Sequence, residues 1–575
     1  MLNATLALLR HFDGREKKQL VLLLLVTTVN GLIQALGVVS VMPLIAVLTE
    51  PSLAERNPYL IAFTQMLPVS WQGSLLLVLG VAVFLVLLAG NSLVTFEYWL
   101  TLKFFNNKEH KLSVKLLKNY LEREYTEFRS NTVSEMSRNV ISEVDRVMVG
   151  TMLAIVKLVS DSMISLSILL ALLFVNLSVT LTVILALWGA YIIVYLLINT
   201  RIRFLGDQFP GLEKAVYSAV KQALEFYKEI RVYGGAELFV RNYSEPAREM
   251  TLNATSFYLL RVLPALLIEM TAFGIVIFVA IYISKTTGSS AEAIATVAFF
   301  AFAVYRLVPV IKEIFESVEE LKFLGRSLQS VLGQFNTDIT EKVSITHSCE
   351  RMCIHSGISV SDLSFKYKQA PNRLFNKLTI HIPAFKFTCI VGPSGVGKST
   401  LLDLLLGLLR PDGGEISVDD TILTPSNIDL WRNSIGYVPQ YVQLLEGTVL
   451  ENIAFGIPVE EINRERVIEV ARTAGIDTFI ENDLINTYET VIGDGGVRLS
   501  GGQKQRIGIA RSLYHKPSVL LFDEATNEID SEIENTVLKN LLDIGDFTIV
   551  FVSHRQSIQE KADSVIALTS QVSVA

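Results

Sequence analysis

Six stretches of this chain are too long and too apolar to be ordinary core helices: residues 19–48, 73–100, 147–173, 177–199, 258–284 and 290–311. A helix needs about 20 apolar residues to cross roughly 30 Å of hydrocarbon, and every stretch reaches that length. A chain built this way cannot hide so much apolar surface from water, so part of it folds in lipid. Composition agrees: half the residues are hydrophobic and only 19% are charged, which excludes a wholly soluble or disordered chain. The charge is uneven. Residues 1–330 carry 29 basic and 26 acidic side chains, leaving −10 for the remainder of a chain whose net charge is −7. No basic stripe suits nucleic acid, and three cysteines in 575 residues cannot build a disulfide framework, so a reducing compartment is expected for the polar half.

Orientation follows from the connections between the stretches. Residues 101–146 and 201–261 each carry nine Lys and Arg, whereas the opposite connections carry Arg56, none and Lys285. The positive-inside bias therefore places both termini and both long loops in the cytoplasm. Periodicity at 131–144 and 225–239 predicts amphipathic helices that continue the spans, and Tyr233-Gly234-Gly235 suits a short docking helix set across the second one. Apolar residues gathered within 51–70 on the outer side fit a short helix in the headgroup layer, or a loop packed on helix ends. Inside the spans, Glu97, Asp161, Glu269 and Arg306 are costly in hydrocarbon and should face a cavity or a partner. Arg306 is the candidate contact for an anionic substrate; pairing with one of the three acids is the alternative.

The other half begins with a different pattern. An apolar run ends at Gly392, Pro393, Ser394, Gly395, Val396, Gly397, Lys398, Ser399 and Thr400, and an apolar helix follows. Strand, glycine loop and helix in that order wrap backbone N–H groups around phosphates at a positively polarised helix start. Lys398 would reach the terminal phosphates and Ser399 would offer its hydroxyl to Mg²⁺. A second buried run ends in Asp523, to hold Mg²⁺ through water, and Glu524, to deprotonate the attacking water. A third ends at His554, placed to bond the γ-phosphate and link it to Glu524. Phosphoryl transfer needs little more than positioning and charge stabilisation. Ser500, Gly501, Gly502 and Gln503 open another helix and form a second phosphate-binding device. One compact lobe already filled by Lys398 and Ser399 has no use for it on the same nucleotide, which points to a second copy of the chain.

Residues 360–556 resemble the ATP-binding cassette of ABC transporters. The Walker A loop lies at 392–400, Gln440 in Gly-Tyr-Val-Pro-Gln matches the Q-loop, Leu-Ser-Gly-Gly-Gln at 499–503 the signature, 519–524 the Walker B strand and His554 the switch histidine. Tyr367 matches the aromatic that stacks on adenine and Asp530 the aspartate of the D-loop. The resemblance implies ATP and Mg²⁺ as cofactors, with Gln440 beside Ser399 and Asp523 at the metal and beside Glu524 and His554 in catalysis. It also implies a homodimer whose cassettes sit head to tail, each ATP held between one chain's Walker A and the other's signature.

The expected fold is multi-domain. An all-α transmembrane domain of six helices covers 1–330, with cytoplasmic coupling loops at 101–146 and 201–257. A linker covers 331–356, and an α/β P-loop cassette covers 357–575. Three places depart from the family pattern: Asn527-Glu528-Ile529-Asp530 stands for Ser-Ala-Leu-Asp, Asp494 stands where Glu is usual, and Pro383-Ala384-Phe385-Lys386 replaces a Gly-Glu turn. Strings at 37–48, 122–144 and 305–310 are similar to bacterial lipid-linked oligosaccharide flippases. The expected function is thus an ATP-driven exporter or flippase of an amphipathic lipid-linked glycan in the inner (plasma) membrane. A drug, lipid or peptide exporter and an ATP-gated channel or regulatory membrane ATPase stay open as alternatives.

Overall fold

The computed structural model describes residues 12–49, 61–62, 65, 75–130, 132–286, 290–336, 350–367, 370–493, 495–526 and 528–569. Most of the outer segment 51–70, Asp494 and Asn527 lie outside the described residues. The chain divides into two compact units, Met1–Leu121 with Asn131–Thr340 and Glu122–Ser130 with Glu341–Ala575.

The first unit is helical. Its elements are α1 (Gly14–Thr49), α2 (Leu75–Leu121), α3 (Val133–Val175), α4 (Leu177–Glu225), α5 (Tyr227–Tyr233), α6 (Ala236–Thr286), α7 (Ser290–Phe323) and α8 (Gly325–Asn336). At 1.5 Å per residue the 49 residues of α4 run about 70 Å, more than twice a hydrocarbon core of about 30 Å. The amphipathic helix expected at 131–144 runs on from Val133 into the span of α3, whereas 225–239 is broken at Phe226 and Gly234 around the separate helix α5. Among the described residues five helices, α1, α2, α3, α4 and α6, are long and apolar enough to cross a membrane. The sixth expected span lies in α7, which is helical from Ser290 to Phe323 and carries Arg306 within its apolar stretch.

Val38, Ile168, Leu172, Val183, Ile275 and Phe299 build a shared apolar core from α1, α3, α4, α6 and α7. Large apolar side chains also face outward, among them Phe84, Leu185, Leu197 and Phe273, as a lipid-facing surface requires. Toward the polar ends of the helices charge takes over. Arg146 donates to both carboxylate oxygens of Glu213, at 3.2 and 2.9 Å, a planar fork that fixes α3 against α4. Arg261 bridges Glu316 at 3.0 Å and Glu320 at 3.2 Å and does the same for α6 and α7. Within α3, Asn139–Glu143 and Arg146–Met152 are π-helical. Gly234 stops α5 in the left-handed region at φ 77°, a conformation in which a Cβ is unfavourable. The expected linker from 331 begins inside α8, because Leu328, Val331 and Leu332 bury an amphipathic face that runs past that point.

The second unit is built on two main sheets. An antiparallel sheet has the order β2-β1-β4-β5, with β1 Gly357–Phe365, β2 Phe375–Pro383, β4 Gly413–Val418 and β5 Thr421–Ile422. A parallel sheet has the order β11-β3-β10-β9-β6, from β3 Phe387–Val391, β6 Ile435–Val438, β9 Val519–Asp523, β10 Thr548–Val552 and β11 Ser564–Ala567. Alternate residues of the parallel strands enter opposite cores. Phe387, Cys389, Leu520, Phe522, Ile549 and Phe551 face one core; Ile390, Val519, Leu521, Val550 and Val552 face the other.

Candidate nucleotide site

Register places the chemistry. β10 lies between β3 and β9, with Val552 opposite both Ile390 and Asp523. The glycine loop after β3, the acids at the end of β9 and the histidine after β10 therefore meet at one edge, the carboxyl ends of neighbouring parallel strands, where α/β sheets bind ligands.

Gly397 adopts φ 104°, and a Cβ there would strike Phe375 at 2.8 Å and Leu374 at 3.0 Å. The loop closes only because that position is bare. Lys398 opens the helix Lys398–Leu405 and turns its ammonium back onto the carbonyls of Gly392 at 3.0 Å and Pro393 at 3.1 Å. Its ammonium is thereby held against the loop 392–397. Ser399 Oγ donates to Asp523 Oδ1 at 3.3 Å. Burial pushes the Asp523 carboxyl up, while the Ser399 hydroxyl bond pulls it down. A hydroxyl beside a half-buried carboxylate is a hard oxygen pair that fits Mg²⁺. Tyr367 bonds Thr400 through its hydroxyl at 3.0 Å and packs edge-on to Phe365.

Glu524 has φ 50°, a left-handed conformation that costs a non-glycine residue about 1–2 kcal/mol. Its amide is tied to Val552 O at 3.1 Å, so the sheet holds the strained turn in place. The carboxylate receives Gln440 Nε2 at 3.4 Å on one oxygen and lies 3.4 Å from His554 Nε2 on the other. The structure brings Glu524, Gln440 and His554 together.

The signature residues form a separate device. Ser500 caps the helix Gly501–Tyr514, accepting from Gln503 N at 3.3 Å while its own amide donates to Gln503 Oε1 at 2.7 Å. This reciprocal box engages Ser500 and Gln503 with each other. Asp530 caps the next helix, Ser531–Ile544, without a side-chain bond to it, and its charge acts on Arg506. Ile507, Ile509 and Leu513 set the signature helix on one core. Leu401, Leu402 and Leu405 set the P-loop helix on the other. The P-loop helix and the signature helix thus stand on opposite faces of one parallel sheet.

The sequence reading missed Tyr125 and Asp403. The segment Glu122–Ser130 belongs to this unit, and Tyr125 packs on the core of the P-loop helix beside Tyr367 and Tyr437. Asp403 lies in that helix; burial pushes its carboxyl up to about 6, against the pull of Arg129. The available signal was a lone acid within Leu-Leu-Asp-Leu-Leu-Leu. A raised carboxyl favours the protonated folded state, so the penalty is absent below its ordinary 3.8 and complete above about 6. Asp403→Asn should therefore raise the cassette's thermal midpoint at pH 7.5 by roughly 2–4 °C, with the gain vanishing by about pH 4. Calorimetry across that range checks it; a gain that grows on acidification contradicts it.

Arg306 belongs to the first unit. It donates to Asn91 Oδ1 at 3.4 Å and lies 6.0 Å from the Phe302 ring. Among the described residues it pairs with none of the acids expected as alternatives. Glu97 is buried and accepts from Asn30 Nδ2 at 2.5 Å, Asp161 is buried, and Glu269 is exposed.

Comparison with known proteins bears on these features. Residues 375–527 match the family model described as ABC transporter. The chain is 32% identical over 286 residues to ABC transporter B family member 13 of Arabidopsis thaliana, a match covering 49% of this chain and 22% of that one. It is 27% identical over 451 residues to the ATP-dependent lipid A-core flippase of Francisella tularensis subsp. tularensis, covering 77% and 72% of the two chains. The chain spans about a fifth of the length of the Arabidopsis relative. Its fold is similar to that of a bacterial Atm1-family ABC exporter with ATP bound, with TM-score 0.77, 19% identity and coverage of 97% and 94% of the two chains. Residues 375–527 thus carry an ABC transporter cassette, fused to one apolar helical unit.

Proposed function

We propose that two copies of this chain pair head to tail and use ATP to carry an amphipathic, lipid-linked glycan across the inner (plasma) membrane by alternating access. The observation that carries the pairing is the placement of the P-loop and the signature helix on opposite faces of one sheet. A single nucleotide cannot reach both within one cassette, whereas two cassettes facing each other complete two sites. In each, the Gly392–Thr400 loop and Lys398 hold the phosphates, Tyr367 stacks on the adenine, and the partner copy presents its Ser500–Gln503 helix start and Asp530. Ser399, Asp523 and Gln440 would hold Mg²⁺, which when bound would supply positive charge to the phosphate oxygens. Glu524 takes the proton of the attacking water, and His554 and Gln440 hold its carboxylate in position.

Closure of the cassettes favours one arrangement of the helices and product release the other; transport draws its energy from that difference in nucleotide affinity. The segment Glu122–Ser130 follows α2 directly and packs through Tyr125 on the P-loop core, which gives the nucleotide site a covalent handle on a spanning helix. Similarity to a lipid A-core flippase over 77% of the chain favours a lipid-linked cargo. Arg306, which donates a long bond to Asn91 and pairs with no acid among the described residues, is the group offered to an anionic head. The test is ATP-dependent movement of a lipid-linked oligosaccharide across proteoliposomes. Movement that stops without Mg²⁺ supports the reading, and efflux of drugs or peptides with no lipid movement overturns the cargo. Arg306→Ala should weaken the substrate's stimulation of ATPase at least severalfold, because it removes a desolvated charge contact; unchanged stimulation excludes Arg306 from the cargo site.

A further inference from the structure

The departure at 527–530 puts a carboxylate where the family pattern has a methyl group. A Cβ built on Gly501 would collide with Oε2 of Glu528 and lie 3.2 Å from its Cβ, and one built on Gly502 would lie 2.7 Å from Glu528 O. The turn is anchored by Glu528 N donating to Gln505 Oε1 at 3.1 Å. Glu528 is exposed, and among the described residues its carboxylate has no ion-pair or hydrogen-bond partner. It lies directly against the first residue of the signature helix, whose 14 residues start with unpaired N–H groups. Ser500 and Gln503 are occupied with each other, so Gly501 and Gly502 carry the free anion-binding capacity of this helix start. The bare α-carbons that admit a phosphate also admit the carboxylate.

We infer that Glu528 is an affinity-setting residue: its carboxylate sits at the phosphate-binding start of the signature helix and opposes entry of the partner-bound triphosphate. The proposal rests on the composite-site reading above. Two anions cannot share one positively polarised helix end, and Glu528 must swing out before the site closes. The turn Glu528–Asp530 joins β9 and its acids to the helix Ser531–Ile544, so that swing accompanies assembly of the reaction centre. The chain binds ATP less tightly than one with an uncharged residue at this position.

The experiment measures KM for ATP and kcat on the full chain in lipid, with Glu528→Gln and Glu528→Ala. Both variants should lower KM roughly fivefold, the size of one charge at a helix end, with kcat changed far less, and the gap should narrow at about 1 M salt. Gln keeps the shape and removes only the charge. Lowering of KM by Ala alone would make the contact steric and overturn the proposal, as would an unchanged KM in both. Ser500→Arg, measured alongside, separates the failures. If it abolishes turnover while the Glu528 variants behave as wild type, the proposal fails alone. If it leaves turnover intact, the composite site fails and takes the proposal with it.

Discussion

Glu524→Gln leaves ATP binding intact and lowers the rate of hydrolysis by about 10²–10⁴-fold, the usual contribution of a positioned general base. Gln matches Glu in shape and keeps the acceptor for Gln440, so the contacts at 3.4 Å to Gln440 and His554 need not move. What is lost is the carboxylate that lies beside both of them and can take a proton from water. The left-handed backbone at Glu524 is equally available to Gln, so stability changes little. Measuring nucleotide affinity and single-turnover hydrolysis separately checks the split. A loss of affinity that matches the loss of rate would assign Glu524 to binding.

Ser500→Arg should reduce turnover at least 100-fold, the scale on which loss of a positioned phosphate clamp acts. Arg removes the Oγ that accepts from Gln503 N and extends a long side chain across Gly501 and Gly502. Losing the cap costs about 1 kcal/mol, too little to unfold a helix whose Ile507, Ile509 and Leu513 are buried. Binding of one ATP to each isolated P-loop persists, because that loop stands on the other core. Equilibrium binding together with steady-state ATPase tests this. Loss of both would point to a misfolded cassette, and loss of neither would remove the signature from the reaction.

The cassette was legible because its function is written in short strings with forced backbones: glycines where Gly397 must adopt φ 104°, and acids directly after apolar strands. The apolar spans were legible because lipid leaves helices few alternatives. Other features were not. α7 was legible as a helix, but Asn91 as the partner of Arg306 is 215 residues away in sequence. Asn30 as the partner of Glu97 is 67 residues away in sequence, beyond any local pattern. Tyr125 reads as one aromatic in a polar loop, and its place on the P-loop core depends on a fold that returns a segment between two long helices to a distant domain.

Pairing itself is best tested by mixing two dead chains. Lys398→Ala spoils the P-loop of one copy and Ser500→Arg the signature of the other. In a mixed pair one interface carries both lesions and the second carries neither. Co-assembly of the two inactive variants should therefore restore ATPase, to roughly a quarter of the wild-type rate when half the pairs are mixed and one of two sites is whole. Mixed pairs as inactive as either parent, in samples where cross-linking shows that they form, would contradict a triphosphate shared between two copies.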